Sequence, residues 1–478
     1  MEKTFLKTKQ DVIQWLEENQ QPFIEMADAI WERPEVAFQE FFASKLQADF
    51  LEKQGFWVQR DVAGMNTAFI AEWGQGKPVI GFAGEYDALP DLSQKRQPVK
   101  EAQVPGGAGH GCGHNLLGTG HVAAAVAVKL WMEENEIPGT VRYYGCPAEE
   151  SGGGKTYMAR DGLFTDLDAA FYFHPMYLNT ASKGKLIGVN TLKFHFYGRS
   201  AHAGASPHLG RSALDAVELM DVAVNYLREH VTSDVRIHYA ITLAGGAANV
   251  VPAEAEGMYM IRALDPQNLQ EVTNRVRKIA EGAALMTETR VEEIFVSALA
   301  SMINNRYLAD LQYANLSLVG PIEWTPAELE TARTIDQGYP AGTDKANLAS
   351  LGIPAGLANQ PLIGLNFAPA DEGKVFTSST DVGDLSWITP VSLLSTACWS
   401  AASIGHSWGA VANSGLSIGH KGMLHAAKAM ALTGMDLLTD PEHLKKAWEE
   451  FHAETDAHPF VSGVPAGARP PRFSPETH

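Results

Sequence analysis

The 478-residue chain has few cysteines, only Cys112, Cys146 and Cys398, and this excludes a disulfide-stapled secreted fold. An odd number leaves at least one thiol unpaired, so a reducing, cytoplasmic setting is expected. No apolar run reaches the roughly 18 residues of an ordinary membrane-spanning helix. Met1 to Ile30 intersperses Glu, Lys and Gln in place of a basic stub and an apolar stretch, so no secretory signal is expected. Positive charge is also short. Lys and Arg number 37 against 56 Asp and Glu, a net charge of −19, which argues against nonspecific binding to nucleic acid or an anionic membrane. Internal repeats and low-complexity tracts are missing.

What is present is an ordinary globular composition, 45% hydrophobic and 19% charged. At roughly 150 residues per domain the length predicts about three units, or two if one is large. Gln10 to Ala43 reads as two helices broken near Pro34, with Leu46 to Gln54 also helical. Short apolar strands at Thr67–Trp73, Val79–Ala83, Thr140–Tyr144 and Ala169–Phe173, with a long helix at Leu116–Glu134, predict a mostly parallel sheet covered on both faces. Between about 189 and 300 the pattern becomes strand, helix, strand, strand, helix, strand, the ferredoxin-like βαββαβ order. That stretch is expected to be a domain inserted into a larger one made of 1–188 and 301–478. Ser301 to Leu329 reads as helical, Thr331 to Thr377 as long loops, and about 458–478, with five prolines, as an extended tail.

The chemistry concentrates at loop starts. Gly106 to Asn115, GGAGHGCGHN, surrounds His110, Cys112 and His114 with glycines that let the backbone turn and converge these side chains. Thiolate and imidazole together suit zinc and similar divalent metals. Asp87, Glu149-Glu150 and His174 each follow a short apolar strand, and in a parallel sheet those carboxyl ends form the ligand crevice. A lone His or a Glu pair is by default a surface feature; convergence of four such clusters is what points to a site. Of two adjacent glutamates, one can hold a metal while the other takes a proton from water. Glu150 is expected as ligand and Glu149 as base, although spacing alone does not assign the roles. Either His406 or His420 can complete the ligand set. Gly154-Lys155-Thr156 imitates the end of a phosphate-binding loop, but Glu149 stands where that motif requires its first Gly. His202, Asn249 and Arg262 are polar residues at loop ends or on a strand of the inserted segment.

Together, GEYDAL from Gly84, HGCGHNLLGT from His110, YGCPAEE ending at Glu150, SPHLGRSALDAV from Ser206, AEGAALMTET from Ala280, STDVGD from Ser379 and HKGM from His420 carry a resemblance. The chain resembles, nearly end to end, the aminoacylase, glutamate carboxypeptidase and auxin-conjugate amidohydrolase superfamily of metallopeptidases. The resemblance implies a zinc-exopeptidase-like α/β domain with a ferredoxin-like dimerisation domain inserted in it. It implies two divalent ions, Mn²⁺ or Zn²⁺, on Cys112, His114, Glu150, His174 and His406, with Asp87 behind these ligands and Glu149 as general base. His406-Ser407-Trp408 departs from the His-Ser-Pro of relatives. The histidine matching His202 comes from the partner subunit and helps polarise the scissile carbonyl, while Asn249 and Arg262 match positions near the substrate carboxylate. The implied activity is hydrolysis of an N-acyl amino acid, above all p-aminobenzoyl-glutamate. The alternatives are an indole-3-acetyl-amino acid or a dipeptide as substrate, and, in another class, a noncatalytic structural subunit. The implied partner is a second copy or a homologous subunit.

Overall fold

The computed structural model describes residues 6–354, 356 and 360–475. Its larger sheet has eight strands, in the order Trp57–Arg60, Phe69–Gln75, Gly139–Cys146, Val79–Glu85, Ala169–Met176, Val391–Ala397, Asn179–Ser182 and Asn366–Phe367. The four middle strands are parallel, whereas antiparallel pairs join the flanks to them. Burial on both faces explains why Val79–Glu85 is apolar almost throughout, since every one of its residues is buried. The register sets Glu85 beside Cys146 and Phe82 beside Phe171, so the carboxyl ends of the middle strands share one edge.

The helix His114–Asn135 lies against this sheet and against the helix Ser417–Thr439. Gly113, at φ 73°, adopts the left-handed conformation that turns the glycine-rich loop into the helix start. His114 is therefore placed at the edge where the strands end. Phe171 is fully buried and packs on Phe82 with ring centroids 5.3 Å apart. Phe171→Ala is expected to cost about 3–5 kcal/mol, the range for an aromatic truncated in a core, as measured by urea unfolding.

Residues 188–299 form a second, four-stranded antiparallel sheet in the order Arg290–Leu299, Gly188–Tyr197, Glu254–Ala263, Arg236–Leu243. Numbered along the chain this is the 4-1-3-2 arrangement of a ferredoxin-like unit. The helices Ala213–Leu227 and Pro266–Thr287 pack on this sheet, enclosing a separate core that includes Phe194, Phe196, Val217, Met220, Tyr259 and Val276. The strand Glu254–Ala263 alternates buried and open positions, the period-two pattern of a sheet with one covered face.

The segment expected as long loops, Thr331 to Thr377, instead holds most of the helix Pro326–Asp336 and all of Thr343–Ser350. A capping box between Thr325 and Glu328, with Pro326 in the first turn, starts the former, and Ala332 and Ile335 bury its inner side. The high Gly and Pro content around these short helices hid their period. Residues 458–475 carry no long helix or strand, yet Val464 is buried in the main core and the Ala468 carbonyl accepts from Arg160. The last three residues of the expected tail, 476–478, lie outside the described residues. Among the described residues no helix is long and apolar enough to cross a membrane.

Candidate metal centre

Four separate segments meet at the carboxyl edge of the middle strands. Asp87 follows Val79–Glu85, Glu149 and Glu150 follow Gly139–Cys146, His174 lies on Ala169–Met176, and Cys112 and His114 open the buried helix. His406 joins them from a coil, at a φ of 59°, with its backbone N–H donating to the Gly111 carbonyl.

The contacts orient each donor atom. His114 Nδ1 is 2.9 Å from Asp87 Oδ1, and since a carboxylate can only accept there, Nδ1–H donates to it, which turns Nε2 toward the cluster. That Nε2 is buried and has no hydrogen-bond partner, although it lies 3.1 Å from Glu85 Oε2 in a poorly aligned approach and 4.0 Å from Glu149 Oε2. His174 donates from Nδ1 to the Pro175 carbonyl at 2.8 Å, leaving its Nε2 lone pair free. His406 Nε2 is 3.0 Å from Cys112 Sγ and 3.2 Å from Glu150 Oε2. Asp87 uses its second oxygen to accept from the Glu150 backbone N–H at 2.9 Å, fixing the glutamate turn against the His114 helix.

Among the described residues, atoms able to bind a metal fall into three groups, each within 4.8 Å: Cys112, His114 and His174; Cys112, Glu150 and His406; Glu85, His114 and Glu149. The electrostatics favour a cation. Burial raises the Cys112 thiol well above its ordinary value, and the Glu150 charge adds to this. Burial also raises Glu149, with Glu85 and Glu150 adding repulsion. Glu150 is held down to about 2 despite burial, by its hydrogen bond to His406 and the charge of His114. Burial keeps His174 down to about 4, so its ring is neutral and able to ligate at neutral pH. An orphaned imidazole nitrogen, a buried thiol and largely buried carboxylates fit a divalent ion with mixed sulfur, nitrogen and oxygen donors.

Cys112, His114, Glu149, Glu150, His174, His406 and Asp87 are thus brought together. His420 is not, because its Nε2 contacts Asp28 at 3.0 Å on the helix Ser417–Thr439. His202 stands in an exposed turn of the smaller unit, its Nδ1 accepting from the Gly204 and Ala205 N–H groups. Asn249 is exposed beside that turn, its carbonyl accepting from Ala203 N at 2.9 Å. Arg262 donates to Ser379 Oγ at 3.0 Å, linking the smaller unit to the larger. Sequence reasoning missed Glu85, buried behind His114, and Lys155, whose Nζ lies 2.5 Å from both Glu85 and Asp381. A usable signal existed for Glu85: it ends the same strand that delivers Asp87.

A parallel-centred sheet that gathers a thiol, imidazoles and carboxylates at its carboxyl edge defines a metallohydrolase. Residues 81–358 match the model of peptidase family M20/M25/M40, and the chain belongs to that family. It is a metal-dependent amidohydrolase. It is similar to a p-aminobenzoyl-glutamate hydrolase subunit of Escherichia coli (strain K12), with 44% identity over 467 residues, 95% of this chain and 97% of that protein. It is also similar to the Xaa-Arg dipeptidase of Homo sapiens, at 27% over 456 residues, 92% of this chain and 91% of that one. In fold it matches a Bacillus subtilis protein described as a dinuclear metal binding peptidase from the M20 family. There the TM-score is 0.56 and the identity 18%, covering 87% of this chain and 98% of that one.

Proposed function

We propose that this chain hydrolyses the amide bond of an N-acyl amino acid, with p-aminobenzoyl-glutamate preferred. The likeness to the E. coli protein over nearly the whole of both chains is the observation that carries the substrate. Residues 1–188 and 301–478 form the catalytic part of this reading and 189–300 the dimerisation part. Two divalent ions, Zn²⁺ or Mn²⁺, would be held by Cys112 with His114 and His174, and by Cys112 with Glu150 and His406, whose donor atoms lie close enough together for this. When bound, such ions supply Lewis acidity that polarises the acyl carbonyl and eases removal of a proton from water. Glu149 takes that proton and returns it to the leaving amine. Its carboxylate groups with His114 and Glu85 and not with Cys112, which leaves it beside the proposed ligands and free to carry a proton. Asp87 keeps His114 and the Glu150 turn in place.

His202 contributes an oxyanion donor. Because its Nδ1 accepts two backbone N–H groups, its hydrogen resides on Nε2, facing away from its own turn. Within one chain His202 and Asn249 stand near the start of the strand Glu254–Ala263, and Arg262 near its end. From Glu254 to Arg262 the strand runs about 26 Å, farther than a small acyl amino acid spans. One substrate can meet all three only if they come from two chains, with Arg262 holding the carboxylate. Exposed Tyr239, Ile241 and Leu243 on the sheet-edge strand, and Leu219, Val222 and Tyr226 on the neighbouring helix, support a partner chain at this face. That partner is a second copy or a homologous subunit.

The test is a panel of amides offered to chelator-treated protein reloaded with Zn²⁺ or Mn²⁺. Hydrolysis of p-aminobenzoyl-glutamate above hippurate-like, indolyl and Xaa-Arg amides is expected. Preference for an indolyl conjugate or a dipeptide overturns the substrate assignment. Light scattering after size exclusion is expected to give a dimer, which Ile241→Asp on the exposed edge weakens together with turnover.

A further inference from the structure

Lys155 is the residue of the phosphate-loop imitation, and nucleotide binding does not account for it. It is wholly buried, as are Glu85 and Asp381. Its Nζ donates to Glu85 Oε1 and to Asp381 Oδ1, each at 2.5 Å, and its backbone N–H donates to Asp381 Oδ2 at 2.8 Å. Burial works against its charge, but the two carboxylates outweigh that and hold the ammonium well above its ordinary value. Both oxygens of Asp381 are therefore spent on Lys155. Glu85 keeps one oxygen, Oε2, which lies 3.1 Å from His114 Nε2 and accepts from the Tyr172 hydroxyl at 3.4 Å.

That geometry creates a conflict at the metal centre. His114 belongs to two of the three groups of ligand atoms, one with Cys112 and His174, the other with Glu85 and Glu149. A free Glu85, buried beside His114, would compete for an ion there and draw Glu149 into its coordination, where it can no longer take up a proton. We infer that Lys155 is a positioning residue that withholds Glu85 from the ion, so that His114 serves the Cys112 site and Glu149 stays unligated. The inference rests on the metal-centre reading given above. Gly154 serves the same end. A Cβ there would meet the Pro147 carbonyl oxygen at 2.0 Å, so only glycine lets the Lys155 helix start directly beneath the glutamate turn.

The decisive comparison uses two double variants, Lys155→Met with Glu85→Gln and Lys155→Met with Asp381→Asn. Each removes the ammonium and one of its carboxylates, so both leave the same charge in the pocket. A merely structural Lys155 makes them equivalent. Withholding of Glu85 makes them differ, since Glu85 is disarmed in the first and released in the second. Bound metal per chain after dialysis, the visible spectrum of the Co²⁺ form, and kcat and KM are measured alongside wild type. The first variant is expected to keep the wild-type spectrum and metal affinity. The second is expected to show a weaker, higher-coordinate spectrum, a metal affinity altered about 10–100-fold, the range for partners that orient ligands, and a fall in kcat larger than any change in KM. Two variants that match each other while wild type binds metal overturn this inference alone. A wild-type chain that binds no metal overturns the metal centre, and this inference with it. Should either double variant fail to fold, Glu85→Gln alone decides: metal content unchanged supports withholding, and loss of metal shows Glu85 to be a ligand and overturns it.

Discussion

Glu149→Gln is expected to lower kcat by about 10²–10⁴-fold, the range for removal of a general acid–base group, with much smaller change in KM and no loss of bound metal. The amide keeps the volume and one acceptor oxygen but cannot carry a proton from water to the leaving amine. Its site argues for this separation of effects. Glu149 shares its group with His114 and Glu85, but not with Cys112, which stands in both of the other groups. Steady-state kinetics on variant protein of verified metal content makes the measurement. The same variant discriminates the structural-subunit reading, because unchanged activity of a complex containing Glu149→Gln would move catalysis to the other subunit.

The second large effect is loss of metal on Cys112→Ala. Cys112 is the residue common to the Cys112–His114–His174 and Cys112–Glu150–His406 groups, so one substitution weakens both sites. His406→Ala touches only the second, and its exposed coil position makes it the milder change. Metal analysis is expected to show Cys112→Ala depleted of most of its ions and inactive at stoichiometric metal. His406→Ala is expected to retain about one ion, with added metal recovering part of the activity. Equal depletion in both variants would contradict the shared role of Cys112.

Much of this site was legible because its residues obey one rule. Asp87, Glu149, Glu150 and His174 each come at or just after the end of a buried parallel strand, and such strands announce themselves as short apolar runs. Cys112 and His114 were legible through the glycines that crowd them. His406 was not, from pattern alone, since a coil residue at positive φ has no period, and resemblance had to choose it over His420. Lys155 was passed over because glycines before a lysine read first as a phosphate loop, while its true partners, Glu85 and Asp381, lie 70 and 226 positions away. The helices Pro326–Asp336 and Thr343–Ser350 were hidden by the glycines and prolines that begin and separate them, although Thr325 and Glu328 spell a capping box. The proposed reach of His202 toward a substrate would be a property of two chains, which no single-chain pattern encodes.

The most direct measurement of the central claim is anomalous diffraction from crystals grown with Zn²⁺ or Mn²⁺. The expected result is two peaks per chain, one among Cys112, His114 and His174, the other among Cys112, Glu150 and His406, with Glu149 near both and bound to neither. A peak held by Glu85, His114 and Glu149, or no peak in protein that is fully active after chelation, would contradict it.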